Sequence, residues 1–255
     1  MGPPYSSAFT PRLRGAFDQL MGVDKYEESS LALGWWVVTF PGFWDDRLED
    51  DALLEWGAAG HWHVDGAHFQ HFINSKEVGL LPIFLFNTIG KHDGGTLLCP
   101  GSHRVVAEIL HECNTHDQES GGRSGGRSGG RSGEYGDSDA SEEEEHGGGM
   151  SGGQISAEAL LRCDVVNNVV EVNGEPGDVV LCHPFMLHAR SMNCGTGLER
   201  SVRPMCHPGI ALKEPMSIYG STMGMTDSPT CATTSGSSGT MELSPVERAI
   251  VEAVQ

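Results

Sequence analysis

The sequence predicts a mainly β fold, a sandwich or barrel with flanking helices. Short stretches rich in β-branched and aromatic residues recur along the chain, and turns containing glycine or proline separate them. This pattern favours a sandwich or barrel over an α/β sheet. At 255 residues the chain is long enough for one substantial core, whereas two full catalytic domains would be cramped. We therefore expect a single domain over residues 1–255.

The N-terminal half supplies the first predicted strands. Gly34–Phe40 contains β-branched and aromatic residues, and Gly79–Phe86 is a nearly continuous apolar run that suits a buried strand. Pro82 inside that run favours an edge or a bulge, because proline has no N–H to donate to a sheet. Asp51–Trp56 is long enough for one or two helical turns. Gly94–His103 indicates a short strand between two turns.

The middle of the chain interrupts this pattern. Val105–Cys113 predicts a short helix, with its apolar residues on one side. Residues 114–154 then change to Gly-Gly-Arg-Ser repeats, an acidic block and a run of glycines. Such a composition cannot bury enough apolar surface to offset its ordering entropy. We therefore expect a disordered, low-complexity insertion at 114–154.

The C-terminal half returns to an ordered pattern, beginning with a predicted helix at Ala157–Cys163. Predicted strands follow at Val169–Val172, Gly177–Cys182 and Val202–Leu212. Residues 219–239 are rich in Ser, Thr and Gly, which indicates a loose connection. Ser244 then begins a last helix as its N-cap, with Pro245 at the first helical position and Glu247 completing a capping box.

Composition and charge exclude several kinds of partner. The formal net charge is −19, from 16 Lys and Arg against 35 Asp and Glu, so the chain repels a nucleic-acid backbone. The seven cysteines include no CxxC pair, which fits neither a disulfide framework nor a zinc ribbon. Residues 1–13 lack an apolar signal core, and no stretch is apolar enough to span a bilayer. We expect a soluble intracellular protein, most simply cytoplasmic, while organelle targeting and the oligomeric state stay open.

The strongest chemical signal is a pair of metal-ligand types two residues apart. On a strand, His63 and Asp65 project to the same face, while Trp62 and Val64 point away. A third ligand must come from another strand, and His188 follows an apolar strand that would deliver it. His183 is the rival, less favoured because Pro184 follows it. Two histidines and one carboxylate hold one face of a non-haem Fe(II) and leave the opposite positions open.

Neighbouring histidines offer a competing interpretation, a dinuclear metal hydrolase. His61 lies on the same alternating face as His63, and His68 and His71 follow nearby. The hydrolase pattern HxHxDH therefore begins correctly. Gly66 occupies the position where that pattern needs histidine, which weakens this alternative.

Four segments in a fixed order resemble the phytanoyl-CoA dioxygenase family. They are His63–Gly66, Gly94–His103, Gly177–Pro184 with His188, and Arg203 in the following strand. The resemblance covers most of residues 35–216 apart from the insertion. It implies a double-stranded β-helix, the jelly-roll or cupin-like barrel. It also implies an Fe(II)- and 2-oxoglutarate-dependent dioxygenase that uses O2 to hydroxylate a small organic substrate.

The resemblance further assigns roles to individual residues. It implies that His63, Asp65 and His188 bind the iron, and that Arg203 pairs with the distal carboxylate of 2-oxoglutarate. A guanidinium suits that task because its fork binds a carboxylate at two points. The segment between His188 and the arginine is longer than the family pattern, so Arg200 is the alternative anchor.

Three residues are candidates for the lining of the pocket, with core packing or a strand-end hydrogen bond as the alternative for each. They are Trp62, Gln70 and Asn87. Other functions also stay open: a metal-dependent hydrolase, a cupin-type enzyme that needs no 2-oxoglutarate, or a catalytically inactive barrel that serves as a binding module. A cosubstrate requirement and the metal content of the purified protein would distinguish these functions.

Overall fold

The computed structural model describes residues 6–32, 36–41, 61–67, 69–120, 149–193, 202–218 and 243–255. Within them the chain forms mainly antiparallel β-sheet with a few helices, so the predicted β-rich class is confirmed. The strands are β1 (Trp36–Thr39), β2 (Gln70–His71), β3 (Leu81–Leu85), β4 (Thr96–Leu98), β5 (Met150–Ser151), β6 (Val170–Glu171), β7 (Val179–Cys182), β8 (His188–Arg190) and β9 (Arg203–Cys206). The helices are α1 (Pro11–Met21), α2 (Ser102–Ser120), α3 (Gly152–Arg162) and α4 (Pro245–Ala253), with short 3-10 turns at Ser6–Ala8 and Glu28–Ser30.

The strands form two main sheets. One contains four strands in the order β1-β9-β3-β7, and the other contains three in the order β6-β4-β8. β2 and β5 pair separately. The chain passes between the two main sheets at each step from β6 to β7, from β7 to β8 and from β8 to β9. Neighbours in a sheet are therefore distant in sequence, as they are in sandwich and barrel folds.

The two main sheets contact each other through apolar side chains. Ile83 and Leu85 of β3 share a buried cluster with Met205 of β9 and with Val172, which follows β6. Leu98 of β4 packs against the same cluster. Because successive side chains of a strand alternate between faces, the other residues of these strands must pack elsewhere.

The helices cover the opposite faces of the sheets. Phe84 of β3 and Cys206 of β9 belong to a larger buried cluster that includes side chains from the helices. Phe17 of α1, Ile109 of α2 and Ile250 of α4 are among them. β3 is thus buried on both faces, which explains why its sequence shows no alternation. No helix in these described ranges is both long and apolar enough to cross a lipid bilayer.

Pro82 does not mark an edge strand, because β3 lies inside the four-stranded sheet. Pro82 pairs with Leu181 of β7, whereas β9 pairs with β3 only at Phe84 and Leu85. Pro82, which has no N–H, therefore lies where β7 is in register with β3 and β9 is not. A residue's single N–H can bond only one neighbouring strand, so an inner strand tolerates a proline where one side is out of register.

Two helices are longer than the sequence predicted. α2 extends through Ser120, and α3 begins at Gly152 behind a capping box formed by Ser151 and Gln154. The insertion predicted for residues 114–154 was therefore wrong at both ends, where the chain is helical. The residues that continue α2 are polar and show no apolar periodicity, so the pattern could not detect this extension. Residues 121–148 lie outside the described residues.

The predicted C-terminal helix is confirmed as α4. Ser244 Oγ accepts a hydrogen bond from Glu247 N over 3.3 Å, and Glu247 Oε2 accepts one from Ser244 N over 2.9 Å. Pro245 occupies the first turn. The predicted connection at 219–239 and the predicted turns at 51–56 lie outside the described residues, as do Gly34 and Trp35 of the first predicted strand.

The strand predicted over Val202–Leu212 is shorter in the structure. Only Arg203–Cys206 forms β9, and Ile210 and Leu212 make isolated bridges with Leu80 and Tyr26. Pro208 and Gly209 lie between these two parts, and this pair interrupts regular pairing.

Candidate metal centre

A pair of backbone hydrogen bonds places two histidines side by side. His63 N donates to His188 O over 2.8 Å, and His188 N donates to His63 O over 3.0 Å. This is the closely spaced pairing of antiparallel strands, in which opposite side chains share a face. His63 thereby extends the three-stranded sheet beyond β8, and the two ring centroids lie 4.3 Å apart.

Both imidazoles are oriented in the same way. Nδ1 of His63 lies 2.8 Å from the carbonyl oxygen of His61, and Nδ1 of His188 lies 2.9 Å from that of Met186. A carbonyl oxygen can only accept, so each Nδ1 carries a proton and each Nε2 of the neutral ring keeps its lone pair. Metal-binding histidines are commonly held by such a hydrogen bond on the other ring nitrogen.

Asp65 faces the two free lone pairs. Its Oδ1 lies 3.4 Å from His63 Nε2 and 3.5 Å from His188 Nε2. One ligand atom from each of these three residues lies within 4.8 Å of the others. Among the residues that the structure describes, they make up the one group of three or more His, Cys, Asp or Glu side chains able to hold a metal ion. The three side chains come from residues 63–65 and from His188, the two segments in which the sequence indicated metal ligands.

The buried nitrogen of His188 supports a cation at this position. His188 Nε2 has no hydrogen-bond partner among the described residues, and its side chain is only 2% exposed. A buried polar atom without a partner costs free energy, and native proteins contain few of them. A metal ion bound between His188, His63 and Asp65 would satisfy this lone pair. The donor set therefore fits a divalent metal.

Electrostatics within the group favour an ionised carboxylate. Burial alone would raise the pKa of Asp65, but the rings of His188 and His63, which can donate to it from Nε2 when protonated, outweigh burial and lower that pKa well below its usual range. The hydrogen bond with Asp65 raises the pKa of His63, against the opposing effect of burial. A divalent cation would take the place of the second proton that His63 carries at Nε2 when its ring is charged, since ligands bind metal in their deprotonated forms.

The group is buried on one side and open on the other. The side chain of His188 is 2% exposed, that of Asp65 is 32% exposed and that of His63 is 49% exposed. A metal here would contact the protein through His188 at its deepest point. Solvent and small molecules would reach it from the side of His63.

Within the described ranges, the dinuclear alternative finds no second set of ligands. Gly66 has a φ of +101°, and a Cβ there would lie 2.5 Å from both His71 Nε2 and Phe69 Cζ. A histidine at position 66 would therefore need a rearranged loop. His61 is exposed and supplies its carbonyl oxygen to His63. His68, the remaining histidine of that alternative, lies outside the described residues.

Arg203 is a buried cation at the start of β9. Its side chain is 8% exposed and its Nη2 lies 3.1 Å from Asp93 Oδ2. Its Nε is buried and has no hydrogen-bond partner in the described part of the chain. Thr39 of β1 stands directly opposite Arg203, and the buried Thr39 Oγ1 is likewise without a described partner. One guanidinium nitrogen and the neighbouring Thr39 hydroxyl thus lack partners among the described residues.

Contacts in the interior link the arginine strand to the metal group. Met205 lies on the same face of β9 as Arg203, two residues along the strand. Thr96 Oγ1 lies 3.8 Å from Met205 Sδ and 3.1 Å from His207 Nε2. The ring of His207 is centred 5.9 Å from that of His188. The arginine, His207 and the metal group therefore belong to one face of the packed sheets.

His207 is neutral in this environment. Burial, followed by the nearby His188, lowers the pKa of His207 to about 4. A neutral imidazole adds no positive charge beside the proposed cation. Sequence analysis did not identify His207, although its position four residues after Arg203 puts it on the same alternating face.

The three predicted pocket residues lie in different surroundings. Trp62 packs in the large cluster under the helices, so it faces away from His63 and core packing explains it. Gln70 is exposed in β2, paired with Ser151 of β5. Asn87 Nδ2 donates to Val202 O over 3.1 Å, next to Arg203. Of the three, Asn87 alone contacts the chain beside Arg203.

His183 is not a ligand of this group. Its Nδ1 accepts a hydrogen bond from Phe185 N over 3.1 Å, and its Nε2 lies 3.4 Å from the carbonyl oxygen of Val246 in α4. The turn after His183 sends its side chain toward the helices, while His188 enters the three-stranded sheet. The preference for His188 over His183 agrees with this geometry. Arg200, the alternative anchor, lies outside the described residues.

A separate cavity of about 310 Å³ lies between the end of α1 and the start of α4. Met21, Lys25, Lys213 and Glu247 are among its lining residues, and no residue of the metal group lines it. Lys25 Nζ lies 3.4 Å from Glu247 Oε1, so the charges on this cavity wall are largely paired with each other. It is not part of the metal centre.

Neither a scan against protein-family models nor a search of curated proteins finds a match to this chain.

Proposed function

We propose that the chain is a mononuclear Fe(II)- and 2-oxoglutarate-dependent dioxygenase that hydroxylates a small organic substrate, resembling the phytanoyl-CoA dioxygenase family. The observation that carries the proposal is the convergence of His63 Nε2, His188 Nε2 and Asp65 Oδ1 on one point. Two imidazoles and one carboxylate on one face of a metal are typical of non-haem Fe(II) oxygenases.

The sheet arrangement supports a double-stranded β-helix as the scaffold. Two antiparallel sheets pack face to face, and successive strands from β6 to β9 cross between them. The ligands lie at one edge of the three-stranded sheet, where His63 pairs with β8. Sites in barrels of this kind are held by strand ends, which fixes the direction of each ligand.

Arg203 supports a carboxylate-bearing cosubstrate. It is a buried guanidinium on the interior face of β9, and its Nε still lacks an acceptor among the described residues. A guanidinium binds a carboxylate through two parallel hydrogen bonds, which fix orientation as well as position. In the proposed enzyme Arg203 therefore holds the distal carboxylate of 2-oxoglutarate.

The protein's own contribution is geometry and a dry interior. His63, Asp65 and His188 would hold the metal, and the carbonyl bonds to their ring nitrogens keep the two imidazoles in the required tautomer. Ile83, Leu85 and Met205 exclude water from the space between the sheets. Iron with 2-oxoglutarate and O2, when bound, supplies the oxidising power for C–H hydroxylation and releases succinate and carbon dioxide.

The direct test is anaerobic reconstitution with Fe(II) and 2-oxoglutarate. We expect a weak visible charge-transfer band, followed by succinate formation that depends on oxygen. His63→Ala should remove both signals. His61→Ala is the matched control, because His61 contributes its backbone carbonyl and should retain both. Folded, metal-loaded protein without the band would contradict the proposal.

A 2-oxoglutarate-independent metal enzyme is the second candidate, and one observation favours it. Asp93 already pairs with Arg203, so the guanidinium is not an open anchor in this structure. Such an enzyme would turn over its substrate at the metal without forming succinate. A library screen that records oxygen consumption and succinate together separates the two candidates and also identifies the substrate class.

A further inference from the structure

An acidic side chain of the protein itself occupies the buried arginine. Asp93 Oδ2 lies 3.1 Å from Arg203 Nη2, and the two side chains are 26% and 8% exposed. In the proposed enzyme, this is the guanidinium that receives the distal carboxylate of 2-oxoglutarate. Two carboxylates would then compete for one buried positive charge.

The backbone holds Asp93 in this position. Gly90 N donates to Asp93 Oδ2 over 3.0 Å, and Asp93 N donates to Gly90 O over 3.3 Å. Gly94, the next residue, has a φ of +83° and packs so closely that a Cβ there would lie 2.8 Å from Thr39 Cγ2. The turn thus presents the carboxylate to Arg203, and the arginine does not merely capture a loose acidic side chain.

Charge balance makes simultaneous occupation unfavourable. Arg203 and Asp93 together are neutral, so a second carboxylate would leave one uncompensated negative charge in a poorly solvated site. Asp93 is the more exposed partner, which gives its carboxylate a route to water. The Nε of Arg203 offers a further hydrogen bond to an incoming carboxylate.

We infer that Asp93 is an internal competitor that sets the affinity of this site for dicarboxylic 2-oxo acids. Asp93 neutralises Arg203 in the free protein, and a cosubstrate must displace it to engage the guanidinium. The inference rests on the proposed function, because it concerns the same anchor. It predicts that removing the charge of Asp93 tightens binding of 2-oxoglutarate.

The test is titration calorimetry on the anaerobic, Fe(II)-loaded full-length chain. Asp93→Asn keeps the shape of the side chain and an acceptor for Gly90 N while removing the negative charge. We expect its dissociation constant for 2-oxoglutarate to fall about tenfold, the change that a term of about 1.4 kcal/mol produces. Asp93→Ser is a second variant, which keeps an acceptor for Gly90 N and should change the affinity in the same direction.

The chain contains a matched control in Asp178. Asp178 Oδ2 accepts from Glu175 N over 2.8 Å and Asp178 N donates to Glu175 O over 3.0 Å, which is the same turn, on an exposed residue. Asp178→Asn should leave the affinity unchanged. A second probe, 2-oxobutyrate, lacks the distal carboxylate, so its affinity should be the same for wild type and Asp93→Asn.

The outcomes separate the two claims. Wild type that binds 2-oxoglutarate, together with an Asp93→Asn variant that binds it equally or more weakly, would overturn the inference and leave the proposed function intact. Binding by Asp93→Asn but not by wild type would support the inference strongly. Metal-loaded protein that binds 2-oxoglutarate in neither form would overturn both.

Discussion

Two pairs of neighbouring histidines in this chain have opposite surroundings. His63 and His188 have ring centroids 4.3 Å apart, and His103 and His183 have centroids 5.0 Å apart. In the first pair, each Nδ1 donates to a carbonyl oxygen and each Nε2 faces Asp65. In the second pair, His183 Nδ1 accepts from a backbone N–H instead.

The tautomer distinguishes the candidate ligands His63 and His188 from His183, which packs against α4. Because an N–H can only donate, His183 Nδ1 carries no proton and its Nε2–H is directed at the carbonyl of Val246. The backbone therefore satisfies both nitrogens of His183. Burial, followed by the charge of His103, lowers the pKa of His183 to about 3, and burial also lowers the pKa of His103. Both imidazoles of the second pair are therefore neutral at pH 7.

The largest effect is expected from breaking the first pair. Asp65→Ala or His188→Ala should weaken binding of Fe(II) by more than about 100-fold, because loss of a hydrogen-bonded neighbour of a ligand already costs 10–100-fold. Anaerobic equilibrium titration measures this. His103→Ala is the matched control from the second pair and should retain wild-type affinity. Equal affinities for Asp65→Ala and wild type would show that the ligand set is wrong.

The next effect concerns Arg203, the proposed anchor of 2-oxoglutarate. Arg203→Lys should raise the dissociation constant for 2-oxoglutarate by about 10- to 100-fold, since a lysine cannot reproduce the two-point contact. Binding of Fe(II) should not change, because Arg203 is not a ligand. Arg200→Lys tests the alternative anchor in the same calorimetric titration. A larger loss at Arg200 than at Arg203 would move the anchor to Arg200.

A pH effect on stability should come from the second pair. The pKa of His183 is about 3 in the folded chain and about 6.5 as the ordinary value, so the unfolded chain takes up the proton first as pH falls. Stability is therefore complete above pH 6.5 and is lost toward pH 3. Between pH 7 and pH 5 we expect a loss on the order of 1–2 kcal/mol.

Denaturant unfolding of the metal-free protein at both pH values measures this loss. His183→Gln removes the titrating group, so its free energy of unfolding should change less between pH 7 and pH 5. An unchanged pH dependence in this variant would assign the effect to another group, of which His207 is the first to test.

The smallest effect should come from the helix that faces His183. Ser244→Ala removes the N-cap of α4 and should lower the free energy of unfolding by about 1 kcal/mol. Ser151→Ala removes the equivalent cap of α3 and should cost a similar amount. Because Val246 lies in α4, only Ser244→Ala should also alter the pH dependence caused by His183. Identical pH dependence in both variants would contradict a role for α4 in holding that ring.

The parts of the site that follow from local rules could be predicted from the sequence. Alternation along a strand put His63 and Asp65 on one face and Trp62 on the other, as the structure has them. The predicted capping box at Ser244 was also confirmed, because it depends only on two residues three apart in the sequence. Such signals need no knowledge of tertiary packing.

The parts that depend on tertiary contacts were missed. Asp93 meets Arg203 only because the turn before β4 packs against β1 and β9, and no short pattern contains both residues. His207 needed the sheet packing that places it beside Thr96. The length of α2 was underestimated because its last residues are polar and its apolar face ends earlier.

The pairing of His63 with His188 has a consequence for the lifetime of the protein. A metal bound there would link the segment before β2 to β8 without a covalent bond, and only the folded chain brings these ligands together. Free metal at 100 times its dissociation constant would then stabilise the fold by about 2.7 kcal/mol. Resistance to proteases should rise with metal supply, so cellular abundance of the protein would follow the availability of the ion.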